Sequence, residues 1–93
     1  MKMLVVCGSG LGSSFMIEMN VKDVLKDLSA EGIEVEHSDL GSATSDMADL
    51  FICGKDLADA ASGLGELVVL DNILDENELK EKIGDKLKEK GVL

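Results

Sequence analysis

The sequence predicts an α/β domain of three layers, with helices on both faces of a four-stranded parallel sheet. Short apolar runs typical of buried strands alternate with helical patterns along the whole chain. The first run, Met3 to Cys7, is continuously apolar, which is typical of a strand covered on both faces. The 93 residues are enough for one core, so we expect residues 1–93 to form a single domain. We expect the strand order 2-1-3-4, which places the ligand-binding crevice at the carboxyl ends of strands 1 and 3.

The first half of the chain predicts a strand, a helix and a second strand. A helix is expected from near Ser13 to near Gly32, because apolar residues recur there at three- and four-residue intervals. The alternating segment from Ile33 to His37 predicts an edge strand. The apolar stripe of the helix consists of Ile17, Val21, Val24, Leu25 and Leu28.

The second half predicts two further strands and two helices. The polar segment Asp39–Asp49 is expected to be a connection, with one short helical turn around Ser45–Ala48. The remaining elements are strand 3 at Leu50–Cys53, a short helix at Asp56–Ser62 closed by Gly63 and Gly65, and strand 4 at Glu66–Leu70.

The last helix has clear start and stop signals. Asp75 is expected to cap its N-terminus, with Glu78 completing a capping box and Leu74 and Leu79 in staple positions. Lysines crowd the last turn, where cations suit the helix dipole. The other residues that support this helix are Ile83 and Leu87 in the buried stripe, Lys86, Lys88 and Lys90 in the last turn, and Gly91 as the stop.

Composition excludes several classes of protein. The formal net charge of -10 argues against a nucleic-acid partner, which requires a basic surface. No apolar run approaches the roughly 20 residues that a membrane-spanning helix needs. Two cysteines are too few for a disulfide scaffold, and the first residues lack the pattern of a signal peptide. We therefore expect a cytoplasmic protein that is monomeric when isolated.

A glycine- and serine-rich segment follows the first strand: Cys7, Gly8, Ser9, Gly10, Leu11, Gly12, Ser13 and Ser14. A strand, a loop of small residues and a helix start form an anion cradle, because backbone N–H groups and the helix N-terminus converge there. The same field favours the thiolate form of Cys7. No carboxylate precedes Glu18, which either favours phosphate binding or reflects the lack of room for acids in a buried strand and tight turn.

Three other glycine- or cysteine-based sites are disfavoured. A dinucleotide fingerprint would need glycine where Ser13 stands, and a Walker loop would need a lysine in the loop. A zinc site would need about four ligands, and Cys7, His37 and Cys53 do not have the paired spacing. We therefore expect no metal and no cofactor.

Two cysteine-based phosphoryl chemistries remain. The loop resembles that of low-molecular-weight tyrosine phosphatases, in which an arginine lies six positions after the cysteine; here that position is Ser13, and Ser14 takes the hydroxyl position. Without a guanidinium to clamp the phosphoryl oxygens, the loop is expected to hold a phosphocysteine without hydrolysing it. A carrier is favoured, and a phosphatase-like hydrolase and a non-catalytic anion-binding module stay as alternatives.

The same loop, with the segment Phe15-Met16-Ile17-Glu18-Met19 after it, resembles IIB components of the bacterial phosphoenolpyruvate-dependent sugar phosphotransferase system. The likeness is greatest to the L-ascorbate type, with galactitol and lactose types as relatives. It implies that Cys7 accepts a phosphoryl group from a phosphohistidine on IIA. It also implies transfer to an ascorbate-like sugar, or to a pentitol or hexitol, held by the membrane protein IIC. Residues 8–14 would then bind the phosphoryl oxygens, and the protein would associate peripherally with IIC.

The remaining candidates have less distinctive surroundings. Cys53 is interpreted as a core residue that could pair with Cys7 under oxidation if strands 1 and 3 are neighbours. His37 is interpreted as a solvated residue of an edge strand. Met16 and Met19 are interpreted either as core residues, the commoner use, or as an adaptable apolar rim for docking partners. Lys55 follows strand 3 and is a weak candidate for contact with phosphate.

Overall fold

The computed structural model describes residues 1–7, 12–73 and 75–91 and shows an α/β fold built on a four-stranded parallel sheet. The strand order is β2-β1-β3-β4, so the predicted fold class and order are confirmed. The strands are β1 (Lys2–Cys7), β2 (Glu34–Asp39), β3 (Leu50–Gly54) and β4 (Leu67–Leu70). The helices are α1 (Gly12–Asp27), α2 (Ala58–Ala61) and α3 (Glu76–Glu89), and short 3-10 turns cover Leu40–Ser42, Lys55–Leu57 and Ser62–Leu64.

Strand β1 lies between two partners. On one side it pairs with β2 along its full length, from Lys2 opposite Glu34 to Cys7 opposite Asp39. On the other side it pairs with β3, where Val5 lies opposite Ile52. Its apolar residues therefore fill the centre of the sheet, as a continuous hydrophobic run predicts.

Alternate residues of the strands pack into two cores, one on each face of the sheet. Met3, Val5 and Ile52 lie on the face covered by α1 and α3. Leu4, Val6, Phe51, Cys53 and Ala61 form the core on the other face, which includes α2. The helical residues of the larger core are Ile17, Val21, Val24, Leu25, Leu79, Ile83 and Leu87, which are stripe positions predicted from spacing.

Helix α1 ends about one turn earlier than the position of Gly32 suggests. Ser29 takes a left-handed conformation with φ of 57°, its N–H donates to the Lys26 carbonyl, and the Ala30 N–H donates to the Leu25 carbonyl. These two bonds form a Schellman motif. Gly32 also has a positive φ, of 76°, but it lies in the turn that leads to β2.

Helix α3 begins where predicted, but its first turn is bonded differently. The Asp75 carboxylate accepts hydrogen bonds from the N–H groups of Asn77 and Glu78, which confirms the cap. Glu78 does not close a capping box, because its carboxylate accepts from the N–H groups of Asp71 and Asn72 at 2.7 and 2.9 Å. It thereby fixes the turn between β4 and α3. Leu74, the other predicted staple residue, lies outside the described residues.

The connections also differ in detail from the sequence expectation. The Asp39–Asp49 segment carries a 3-10 turn at Leu40–Ser42, and a further turn is closed by a hydrogen bond from the Met47 N–H to the Thr44 carbonyl. The short helix expected at 56–62 is a single α-helical turn between two 3-10 turns. Within the described residues, no helix is long and apolar enough to cross a membrane.

The carboxyl group of Glu78 makes stability depend on acid pH. Hydrogen bonds from Lys82 and from the backbone of Asp71 and Asn72 lower the pKa of Glu78 from 4.5 to about 2. Since the unfolded chain binds this proton first as pH falls, the stabilisation is complete above pH of about 4.5 and is lost as pH falls towards 2. We predict that Glu78→Gln is less stable than wild type at pH 7 and loses less stability between these pH values.

The measurement is denaturant unfolding, followed by circular dichroism, at a series of pH values. Glu81→Gln, an exposed position of the same helix, is the matched control and should retain the wild-type pH dependence. Equal pH slopes for Glu78→Gln and wild type would contradict the assignment.

Candidate functional site

The predicted site lies where β1 and β3 end side by side. Cys7 is the last residue of β1, and its Cα is paired with that of Asp39, the last residue of β2. Gly8, Ser9, Gly10 and Leu11 lie outside the described residues, as do the side chains of Cys7, Ser13 and Ser14. What the structure describes is the frame of the loop: the end of β1 and the start of α1 at Gly12.

The frame has the electrostatic character that an anion site requires. Helix α1 begins five residues after Cys7 and has no acidic residue in its first turn. The first-turn N–H groups and the dipole of a helix present partial positive charge at its N-terminus, and no carboxylate of this turn offsets that charge. The predicted strand end and helix start on the two sides of residues 8–11 are present.

The end of β3 is closely covered by the segments that follow β3 and β4. A Cβ atom added to Gly54 would lie 2.7 Å from Asp56 Oδ1 and 3.1 Å from Ile73 Cγ2. The absence of a side chain at Gly54 thus allows these segments to approach the edge of the sheet where Cys7 ends β1. Lys55, which follows Gly54, is exposed at this edge.

Cys53 is a core residue, as predicted. Its side chain is fully buried with Leu4 and Val6, on the sheet face opposite to that of Val5 and Ile52. Burial raises the pKa of this thiol, and the charge of Asp56 raises it further. Cys53 is therefore a poor nucleophile. Its pairing with Cys7 under oxidation stays a prediction.

Helix α1 carries a buried carboxylate, that of Glu18. Glu18 is 9% exposed and accepts hydrogen bonds from His37 Nδ1 at 2.6 Å and Lys22 Nζ at 3.1 Å. Burial alone would raise the pKa of Glu18, but these two bonds bring it below its ordinary value. Because an ionised carboxylate only accepts hydrogen bonds, His37 Nδ1 carries a proton.

The interpretation of His37 as merely solvated is therefore wrong. Besides its bond to Glu18, the imidazole meets the Phe15 ring edge-on, with ring centroids 5.8 Å apart and an interplanar angle of 89°. Glu18 and His37 are 19 residues apart, so no helical spacing relates them. The available sequence signal was a single histidine on an edge strand, with an acid inside an otherwise apolar helical segment.

Three large apolar side chains of α1 point towards solvent. Phe15, Met16 and Met19 are 50%, 53% and 51% exposed, and they are the exposed large hydrophobic residues of the described chain. Spacings of three and four residues place them on one surface of the helix. The two methionines therefore do not pack in the core, which leaves the alternative use as an apolar rim.

The Glu18 bonds are expected to stabilise the fold. Glu18→Ala leaves the N–H of His37 without its acceptor in a partly buried place, so we predict a decrease of roughly 1–3 kcal/mol in the free energy of unfolding at pH 7. Glu18→Gln retains an acceptor and should lose less. Denaturant unfolding of both variants measures the effect.

Asp23→Ala is the matched control, because Asp23 is an exposed acid on the same helix and its loss is expected to change stability by about 0.5 kcal/mol or less. If Glu18→Ala and Asp23→Ala were equally stable, the Glu18 bonds would make no net contribution.

Comparison with models of known protein families finds a match over most of the chain. Residues 2–85 match the family model described as "PTS system, Lactose/Cellobiose specific IIB subunit". The match runs from the start of β1 into α3 and so includes the loop after Cys7. A search of curated proteins found no match.

Proposed function

The chain belongs to the IIB subunits of the sugar phosphotransferase system described as lactose/cellobiose-specific, and we propose that Cys7 is the residue that carries the phosphoryl group. Membership of this family makes the protein a phosphoryl carrier that works with IIA and IIC partners. The proposal assigns this role to the thiol at the end of β1 and the binding of the phosphoryl oxygens to residues 8–14. It treats residues 1–93 as one IIB domain.

The proposed reaction has two displacements at phosphorus. The Cys7 thiolate attacks the phosphohistidine of IIA; the S–P bond forms, the N–P bond breaks, and the electron pair stays on the imidazole nitrogen. A sugar hydroxyl held by IIC then attacks the phosphocysteine. The O–P bond forms, the S–P bond breaks, the thiolate is regenerated and the hydroxyl proton passes to a base. A thiolate suits both steps because it is a good nucleophile and a moderate leaving group.

The observation that carries the proposal is the position of Cys7 in the frame. Parallel sheets bind ligands at the carboxyl ends of neighbouring strands where the chain direction switches, and β1 and β3 are such neighbours. The helix that follows begins without an acidic residue. A dianionic phosphoryl group is thus met by a helix N-terminus.

The residue types of the loop favour a carrier over a hydrolase. The chain contains no arginine, and Ser13 stands where the related phosphatases have one. Backbone N–H groups and serine hydroxyls can hold the phosphoryl oxygens. They lack the bidentate guanidinium that would stabilise the transition state for attack by water.

The identity of the sugar depends on the complete transport system, because the contacts to the sugar belong to IIC. The resemblance noted for the loop implies an ascorbate-like sugar, or a pentitol or hexitol, whereas the matching family is described by lactose and cellobiose. The proposed place of action is the cytoplasmic side of the membrane, in peripheral association with IIC. Uptake assays with the matching IIC and each sugar distinguish these alternatives.

Phosphorylation of Cys7 is the central prediction. After incubation with phosphoenolpyruvate, the general carrier proteins and the matching IIA, intact-protein mass spectrometry should find one phosphoryl group on the wild type. Cys7→Ser should carry none. The matched control is Cys53→Ala, which removes the buried cysteine and should be phosphorylated like the wild type. Phosphate on Cys7→Ser, or none on the wild type, would refute the proposal.

The two cysteines should also differ in reactivity. We predict that iodoacetamide at pH 7 modifies Cys7 in the native protein and modifies Cys53 only after unfolding, since Cys53 is buried and burial raises its pKa. Inorganic phosphate should slow the reaction of Cys7, while chloride at equal ionic strength should not. Peptide mapping by mass spectrometry assigns the modified residue. Fast modification of Cys53 in the native protein, or no protection by phosphate, would count against the proposed site.

A further inference from the structure

We propose that Phe15, Met16 and Met19 form the docking surface for IIA, the protein that donates the phosphoryl group. We call these three side chains the apolar patch. The inference rests on the proposed function, because a IIA donor must bring its phosphohistidine to Cys7. It extends that function by naming the surface that the donor covers.

The apolar patch lies beside the end of β1. Phe15 contacts His37 on β2, which is paired with Val5; two residues further along, Asp39 is paired with Cys7. Two residues of a strand span about 7 Å, so His37, whose ring the Phe15 ring contacts, lies about one such step along the sheet from the level of Cys7. A protein whose histidine reaches the Cys7 sulfur can therefore cover the apolar patch at the same time.

The side chain of Phe15 contacts a residue that is itself fixed by a hydrogen bond. His37 meets the edge of the Phe15 ring and is itself bonded to the buried Glu18. An aromatic side chain that is supported before binding loses less conformational entropy when a partner covers it. The carboxylate underneath is also paired with both His37 and Lys22, which limits its repulsion of an incoming phosphoryl group.

The chemistry of the apolar patch suits a transient protein partner. Three half-exposed side chains make a small contact, as a carrier needs if it must release its donor in every cycle. Exposed methionines adapt to the shape of a partner. A lipid surface is disfavoured: between residues 15 and 22 of α1 the cation is Lys22, which is paired with Glu18, and the chain has a net charge of -10.

The test is the rate of phosphoryl transfer from phosphorylated IIA as a function of donor concentration. We expect Met16→Gln and Met19→Gln each to raise the donor concentration for half-maximal rate by about tenfold, which corresponds to about 1.4 kcal/mol. The difference in transfer rate between each glutamine variant and the wild type should decrease as the donor concentration is raised. Met16→Leu and Met19→Leu keep apolar side chains of similar volume and should stay close to the wild type.

Lys26→Gln is the matched control, because it introduces the same residue at an exposed position further along α1 and should saturate like the wild type. Methionine, lysine and glutamine have similar helix propensities, so all these variants are expected to keep α1. Circular dichroism and thermal unfolding confirm that each variant is folded before its kinetics are compared.

The outcomes separate this inference from the proposed function. A wild type that accepts no phosphoryl group from IIA overturns both. A phosphorylated wild type whose glutamine variants saturate at the same donor concentration overturns the docking surface and leaves Cys7 as the carrier. A loss confined to sugar phosphorylation in vesicles that contain IIC, with normal saturation by IIA, assigns the apolar patch to the membrane partner and also overturns this inference.

Discussion

The structure depends on the burial of β1 from both faces and its pairing along both edges. The interior of a strand in this position must be apolar, and Met3, Leu4, Val5 and Val6 are at most 2% exposed. Its backbone is held by β2 on one side and β3 on the other. Cys7 stands at the carboxyl end of β1, where the chain leaves the sheet. The rigidity of the central strand thus fixes the point from which the Cys7 loop departs.

The second constraint is the attachment of α1 to the sheet. Its apolar stripe, which includes Ile17, Val21 and Val24, belongs to the larger core, where α1 lies against β1, β2 and α3. Glu18 adds a polar tie to the edge strand, because its bond to His37 joins α1 to β2 directly. A buried carboxylate is costly unless its acceptor capacity is used, and here both a ring nitrogen and an ammonium group use it. The helix that follows the loop is thereby fixed in direction.

Local patterns account for what the sequence could predict, and long-range contacts account for what it could not. The continuous apolar run of β1, the stripe of α3 and the cap at Asp75 depend on neighbours within a few residues, and all three are confirmed. The end of α1 was missed because serine rarely adopts a positive φ, so Ser29 gives a weaker stop signal than Gly32.

Two polar contacts were missed for a different reason. Glu78 bonds backbone groups six and seven residues before it in place of its own cap, and Glu18 meets a histidine from another element. Neither contact has a fixed spacing, so each becomes visible only when the turn and the sheet register are known. For the candidate site, the sequence predicted where β1 ends and where α1 starts. The roles proposed for residues 7–14 rest on the chemistry of their side chains and backbone groups.

The carrier function favours a helix start that is free of unpaired carboxylates, and α1 has such a start. The phosphoryl dianion must be received and held by a protein with a net charge of -10. An unpaired carboxylate about 10 Å from a dianion in water costs about 0.8 kcal/mol, and more where water is excluded. The first 17 residues contain no carboxylate, and the first to follow, Glu18, is paired with His37 and Lys22. The next acid of α1 is Asp23, so the start of the helix carries no unpaired carboxylate of its own. The acid beside Cys7 comes from another element, because Asp39 at the end of β2 has its Cα paired with that of Cys7. A strong fixed cation such as arginine would relieve that repulsion further, but it would hold the phosphoryl group more tightly and promote its loss to water. A helix start without a fixed cation, which offers backbone donors alone, is therefore better suited to a group that must be passed on.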